Sequence, residues 1–194
     1  MGDGVRRLLS GVWLTAMKTT GEAPISRTKQ EVIKEAKRVG ESALYSAKGH
    51  FIAASAWRSL HLIVGLAMVV GTSVAAALVM SGFDQWLTVA GVLYIGVAVF
   101  SAVFTFLYPN ERAGSHLIAG NHYDALTNRT RIFWTIQCWQ NDSDAELLAR
   151  VQALASEKDR LNLSSPQIPR WAYRIAKQQI AGGEAAFDVD KQEV

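Results

Sequence analysis

Cysteine is nearly absent: Cys138 stands alone among 194 residues. No intrachain disulfide can form, and the composition fits a reducing compartment. Proline is scarce as well, with four in the chain and none between Pro24 and Pro109. Strand-like alternation and internal repeats are missing. So are a glycine-rich phosphate loop, a nucleophile elbow and the ligand spacing of a zinc site. The sequence therefore offers no catalytic, cofactor-binding or metal-binding residues and reads as a non-enzyme. The most informative absence is charge. Leu60–Met80 and Trp86–Tyr108 contain no Asp, Glu, Lys or Arg, and only Ser81–Gln85 separates them.

What fills the two uncharged runs is apolar. At ~1.5 Å per residue each makes a helix of ~30 Å or slightly more, the thickness of a bilayer's hydrocarbon core. A short connection returns the second helix beside the first. A soluble helix of this length would carry charge on its solvent face. Residues 1–58 hold ten Lys/Arg and five Asp/Glu, residues 59–108 hold Asp84 alone, and residues 109–194 hold ten Lys/Arg and eleven Asp/Glu. The expected fold is an all-α membrane protein, a two-helix transmembrane hairpin with helical cytosolic extensions packed as a bundle.

Basic residues orient the hairpin. Lys48 and Arg58 precede the first span and Arg112, Arg129 and Arg131 follow the second, whereas the connecting loop has neither Lys nor Arg. The positive-inside bias puts both termini in the cytoplasm and 81–85 outside. Trp57, Trp86 and Tyr108 stand where aromatic belts meet the interfaces. The expected divisions are 1–25, 26–59, 60–80, 81–85, 86–108, 109–184 and an acidic tail over 185–194. In the first segment Val5, Leu8, Leu9, Val12, Trp13 and Ala16 recur at helical spacing. They fit either a short amphipathic element on the membrane or a partner, or a tail docked on the protein's own helices.

Ser26 or Thr28 can cap a helix running through Ile33, Ala36, Val39, Ala43, Ala47 and Phe51, with no proline to stop it before the first span. After Pro109 a pattern through Leu117, Ala125, Ile132 and Ile136 predicts another helix. Asn141–Ser143 supplies a turn and cap for a helix over 144–163 that carries Leu147, Val151, Leu154 and Leu161 on one side. Ser164–Pro169 breaks it, and a last helix from Arg170 stops at Gly182–Gly183.

Small residues form stripes in both spans: Ala67, Gly71 and Ala75 in the first, Ala98 and Ala102 in the second. Stripes of this kind let helix backbones approach closely in lipid, within a hairpin or between copies. Thr72, Ser73, Ser101 and Thr105 are the polar residues available to line a passage. Two helices cannot enclose one, so conduction requires a homo-oligomer. His116 and His122, six apart, fall on different faces and make no metal pair. His61, one turn into the first span, can respond to pH, although hydrogen bonding at headgroup level is the commoner role. The basic first segment, net +5 over residues 1–58, can attract anionic headgroups or nucleotides. Ordinary surface pairs such as Glu31–Lys34 and Lys37–Glu41 account for much of it. No nucleic-acid partner is expected.

Three blocks flank the hairpin. The first is Glu41–Phe51 (ESALYSAKGHF), continued by Trp57-Arg58. The second is Pro109–Ala113 with His116, Ala119–Asn121, Tyr123, Leu126, Arg129 and Arg131. The third is Ser164–Tyr173 followed by Ala176, Lys177 and Ile180. In this order they resemble the SLATT family, the SMODS- and SLOG-associated two-transmembrane effector domains of bacterial conflict systems, over roughly residues 27–184. The resemblance implies an antiphage, abortive-infection-type effector of the cell inner membrane. Such an effector oligomerises to form or gate a pore when a signalling partner, a nucleotidyltransferase making a cyclic oligonucleotide or a nucleotide sensor, activates it. No sensor domain is recognisable here, and Met1–Gly21 falls outside the likeness. The switch is expected in the cytosolic blocks, at Tyr45, His50, His116, Asn121, Arg129 and Arg131. The alternative is a non-conducting membrane anchor or scaffold that recruits cytosolic partners.

Overall fold

Ser26 caps the first helix of the fold. Its Oγ accepts a hydrogen bond from the Lys29 amide and donates to the Asp144 carboxylate, each at 3.0 Å. The same hydroxyl thus caps one helix and ties it to the start of another. The computed structural model describes residues 26–140 and 142–185. Among them the regular elements are all helical: α1 (Arg27–Met80), α2 (Asp84–Leu107), α3 (Pro109–Thr135), a 3-10 turn (Gln137–Trp139), α4 (Asp144–Ser164) and α5 (Arg170–Ala181). The readings made for 1–25, for Asn141 and for the tail beyond residue 185 lie outside the described residues.

With no proline and a capped start, α1 runs unbroken for 54 residues, about 80 Å. Thr28 is inside this helix, so Ser26 alone is its cap. The hairpin turn is Ser81–Phe83, shorter than expected, because α2 already begins at Asp84. Gly82 takes the positive φ of 73° that the reversal needs, and the Asp84 carboxylate suits the positive end of α2. Between α2 and α3 stands Tyr108 in the left-handed region, at φ 45° and ψ 50°. Pro109 then opens α3 at the position where a missing N–H is harmless.

Below the hairpin, α3 runs antiparallel to the first half of α1, and α4 and α5 pack alongside. Two apolar clusters hold this bundle. One joins Val32, Ala36, Phe133, Cys138, Leu147 and Val151. The other joins Val39, Ala43, Ala47, Tyr123, Leu126 and Leu161. Ser143 caps α4 in a reciprocal box with Glu146. Its stripe of Leu147, Val151 and Leu161 is buried as expected. The stripe expected for α3 is not: Leu117, Ala125, Ile132 and Ile136 are exposed. The buried face of α3 is instead Ala113, His116, Ala119, Gly120, Tyr123, Leu126, Thr130 and Phe133. Small and polar residues share that face with Tyr123, Leu126 and Phe133, and they let α3 lie close against α1. A Cβ on Gly120 would stand 2.7 Å from the Phe51 ring, and one on Gly40 would stand 2.5 Å from the Thr130 hydroxyl.

Candidate functional site: an apolar hairpin on a polar seam

α1 and the α2–α3 arm both contain a stretch long and apolar enough to cross a membrane, and only 6% of each most apolar window is buried by the protein. Ile63, Leu66 and Ile95 are about two-thirds exposed, and Phe106 is 79% exposed. In water each such side chain would forgo about 1.5–3 kcal/mol of burial. A continuous sheath of them needs an apolar surrounding, and the helices satisfy their backbone groups internally, as a bilayer demands.

Inside the hairpin the contact is narrow. On α1, positions 64, 65, 68, 71, 75, 76 and 78 are the shielded ones, and 64, 68, 71, 75 and 78 among them follow the alternating three- and four-residue steps of a left-handed helix pair. Ala75 and Ala90 are fully buried, and a Cβ on Gly71 would meet the Val97 side chain at 3.2 Å. His61 stacks on Phe104 at 5.6 Å where the hairpin meets the bundle. Of the small residues singled out from sequence, Gly71 and Ala75 therefore lie at the α1–α2 contact. Ala67, Ala98 and Ala102 are exposed on other faces. Thr72, Ser73, Ser101 and Thr105 are exposed too. Three of their hydroxyls donate back to their own helix, Thr72 to Met68 O, Ser73 to Val69 O and Thr105 to Ser101 O, at 2.8–2.9 Å.

Beneath the hairpin lies a buried polar seam. His50 of α1 and His116 of α3 meet Nδ1 to Nδ1 at 2.9 Å. Two imidazole nitrogens at that distance share one proton, so one ring donates from Nδ1 and the other accepts there. Burial, then the neighbouring His116, pushes the His50 pKa down to about 4. Burial, then the Arg112 guanidinium, lowers that of His116. The neutral pair is the favoured form. His50 also stacks on Tyr123, centroids 5.5 Å apart. The Tyr123 hydroxyl donates to Asn162 Oδ1 at 2.8 Å, and burial raises the phenol's pKa. A line of side chains thus runs from His116 of α3 to His50 of α1, back to Tyr123 of α3 and on to Asn162 of α4.

The other residues expected to switch are spread out. Tyr45 packs on Tyr173 of α5 at 6.2 Å. Arg129 pairs with Glu157 at 2.6 Å on the far side of the bundle. Arg131 lines a cleft of about 580 Å³ with Lys37, Lys48 and Trp134, and Lys37 lies over the Trp134 ring at 4.6 Å. Asn121 is exposed. Only His50 and His116 touch each other. Weighing the histidines one by one in the sequence missed that pairing, which depends on how α1 registers against α3 across 66 positions. The available signal was Gly40 and Gly120, glycines inside helices that mark where α1 and α3 touch. Each is packed against a side chain of the opposite helix, Thr130 and Phe51 respectively.

The two arms that join bundle to hairpin are built differently. α1 passes through without a break. The α2–α3 arm has its joint at Tyr108, the one non-glycine residue with positive φ among the described residues. Arg112, just past the joint, stands over the Trp57 ring at 5.2 Å and links the arms at that level. No family model matches the chain, and neither the curated proteins nor the solved structures give a match. The likeness to SLATT proteins rests on the three sequence blocks themselves.

Proposed function

We propose that this chain is the membrane effector of a bacterial antiphage, abortive-infection-type system. It resides in the inner membrane with both termini in the cytoplasm and oligomerises to form or gate a pore. One observation carries the mechanical part of this reading: the 54-residue helix α1 belongs to the bundle at one end and to the hairpin at the other. A partner that alters the packing of the bundle therefore turns or tilts the span without an intervening linker. The SLATT-like blocks support the biological setting and the class of partner, a nucleotidyltransferase or nucleotide sensor.

The hairpin cannot enclose a passage by itself, so neighbouring copies must complete it. The outward faces bearing Ala98, Ser101, Ala102 and Thr105 suit such contacts, since small residues let backbones approach. Rotation of the spans would bring Thr72, Ser73, Ser101 and Thr105 to a shared lumen, where the hydroxyls of Thr72, Ser73 and Thr105 would exchange their own backbone for water. With no charged ring in the spans, selectivity would be low.

A second reading has its own support. The hydroxyls of Thr72, Ser73 and Thr105 are satisfied within their helices, which suits a non-conducting anchor that recruits cytosolic partners. Dye release from liposomes holding the purified chain separates the two. An effector releases dye, and two glycines inserted after Ala56 uncouple release from the bundle. An anchor leaves the dye inside under every activating condition that drives cell killing.

A further inference from the structure

We infer that a cleft between α1 and α3, at the level where the hairpin leaves the bundle, binds the phosphate headgroup of an anionic phospholipid. The inference rests on the membrane reading above and adds a ligand to it. The cleft measures about 480 Å³. Ser55 and Arg58 line it from α1, Asn110 and Gly114 from α3, with Phe51 and Leu117 at its inner end. On each helix the lining residues recur at the three- and four-residue steps of a single face, so two helix faces form the walls.

Depth selects the ligand. Arg58 stands two residues before the first uncharged run and Asn110 two residues after the second, each within about 3 Å of its run along the helix axis. That is headgroup level on the side where positive charge collects. Polar groups converge there uncommitted. Among the described residues the side chains of Ser55, Arg58 and Asn110 enter no hydrogen bond and no ion pair. This contrasts with Arg112 on the opposite flank, which is engaged with Trp57. A guanidinium, a hydroxyl and a carboxamide together supply donors for the oxygens of a phosphodiester, and Arg holds phosphate bidentately. The first turn of α3 has no side-chain cap and adds its positive end to the same field, against the single carboxylate of Glu111.

The cleft also has room. A Cβ on Gly114 would meet nothing within 4 Å, so the wall opposite Arg58 is open. Acyl chains leaving the headgroup would pass directly onto the apolar sheath of the hairpin. A soluble anion would gain nothing from that margin, which is why the lipid is the assigned occupant. Basic pockets between membrane helices on the cytoplasmic side commonly hold anionic headgroups.

The test uses the full chain in detergent, titrated with phosphatidylglycerol, phosphatidylcholine or inorganic phosphate and read by native mass spectrometry. Wild type should retain phosphatidylglycerol in preference to phosphatidylcholine. Arg58→Gln should weaken that binding about tenfold, the order expected for one charge-assisted contact. Gly114→Leu, which fills the cleft and keeps Arg58, should weaken it similarly, and Arg112→Gln should not. Equal retention of the two lipids, wild-type affinity in both Arg58→Gln and Gly114→Leu, or displacement by millimolar phosphate would each overturn the assignment. Fractionation of cells making each variant separates this from the parent reading. A wild-type chain absent from membranes refutes the membrane reading itself, whereas an inserted chain with unaltered lipid binding refutes only the cleft.

Discussion

Acid should loosen the bundle at the His50–His116 seam. Burial and the neighbouring His116 hold His50 neutral, with a pKa pushed down to about 4, whereas a histidine in an unfolded chain titrates near 6.5. Between those values the unfolded state takes up a proton that the folded state refuses. The stability contributed by the neutral ring is therefore fully present above about pH 6.5 and is lost as pH falls toward 4. For His50 alone the loss between about pH 7.5 and about pH 5 comes to about 2 kcal/mol. The lowered pKa of His116 acts in the same direction, and the two rings titrate as a unit. Glu31 and Glu146 have pKa values lowered by Lys34 and by Ser143 respectively, so they stay ionised over this window. Thermal unfolding of the purified chain, followed by tryptophan fluorescence from about pH 7.5 down to about pH 5, measures the slope. His50→Gln keeps a hydrogen-bonding partner for His116 while removing the titrating ring, and should flatten most of the dependence. The same slope in wild type and variant would refute the reasoning.

Gly71→Leu should splay the hairpin and reduce oligomer yield in crosslinking, because even its Cβ would meet Val97 at 3.2 Å. Ile63→Leu, at a position 67% exposed, should leave the yield near wild type. Gly120→Ala should cost about 1–3 kcal/mol through overpacking against Phe51, less up to about 1 kcal/mol of gained helix propensity. Gly114→Ala, with open space at its Cβ, should show the gain alone, and denaturant midpoints report both. Cysteines placed at Gly82 or Gln85 should react with an impermeant reagent in intact cells. Labelling that requires permeabilised cells would reverse the orientation drawn from Lys and Arg.

The features legible in the sequence were those set by neighbours along the chain. Ser26, Ser143, Pro109 and Gly182 mark helix ends through local backbone chemistry, and uncharged runs declare themselves by length. The α4 stripe was legible because Leu147, Val151 and Leu161 oppose a charged face. In α3 the same reasoning chose the wrong side. Leu117, Ile132 and Ile136 are prominent apolar residues, yet they point away from the core, which is faced by Leu126 and Phe133 together with His116, Gly120, Tyr123 and Thr130. Large apolar residues stand on both faces of α3, so apolar periodicity alone does not choose between them. Where two helices touch closely, small and polar residues mark the contact instead. The stripes in the spans divide for a related reason: Gly71 and Ala75 lie at the α1–α2 contact and Ala67, Ala98 and Ala102 face outward, because a partner helix's rotation decides which small residues it covers.

The two arms that join the bundle to the hairpin are unequal, and in the proposed effector that asymmetry orders the possible movements. Bending α1 between His50 and Leu60 would break backbone hydrogen bonds in an uninterrupted helix. The α2–α3 arm already departs from helix at Tyr108, where a left-handed non-glycine residue costs about 1–2 kcal/mol. It can therefore change its dihedrals without dismantling a helical turn. In the proposed effector α1 is the lever and Tyr108–Pro109 the joint. α4 and α5 both pack on the N-terminal half of α1, so a partner seated on them would act through the rigid arm. The His50–His116 contact lies below the joint, while Arg58, Trp57 and Arg112 lie beside it. Any rotation of α1 against α3 must rearrange the histidine seam and the interfacial contacts together. The seam and the lipid-facing cleft are then two points on one helix–helix contact, and a signal at either one alters the other.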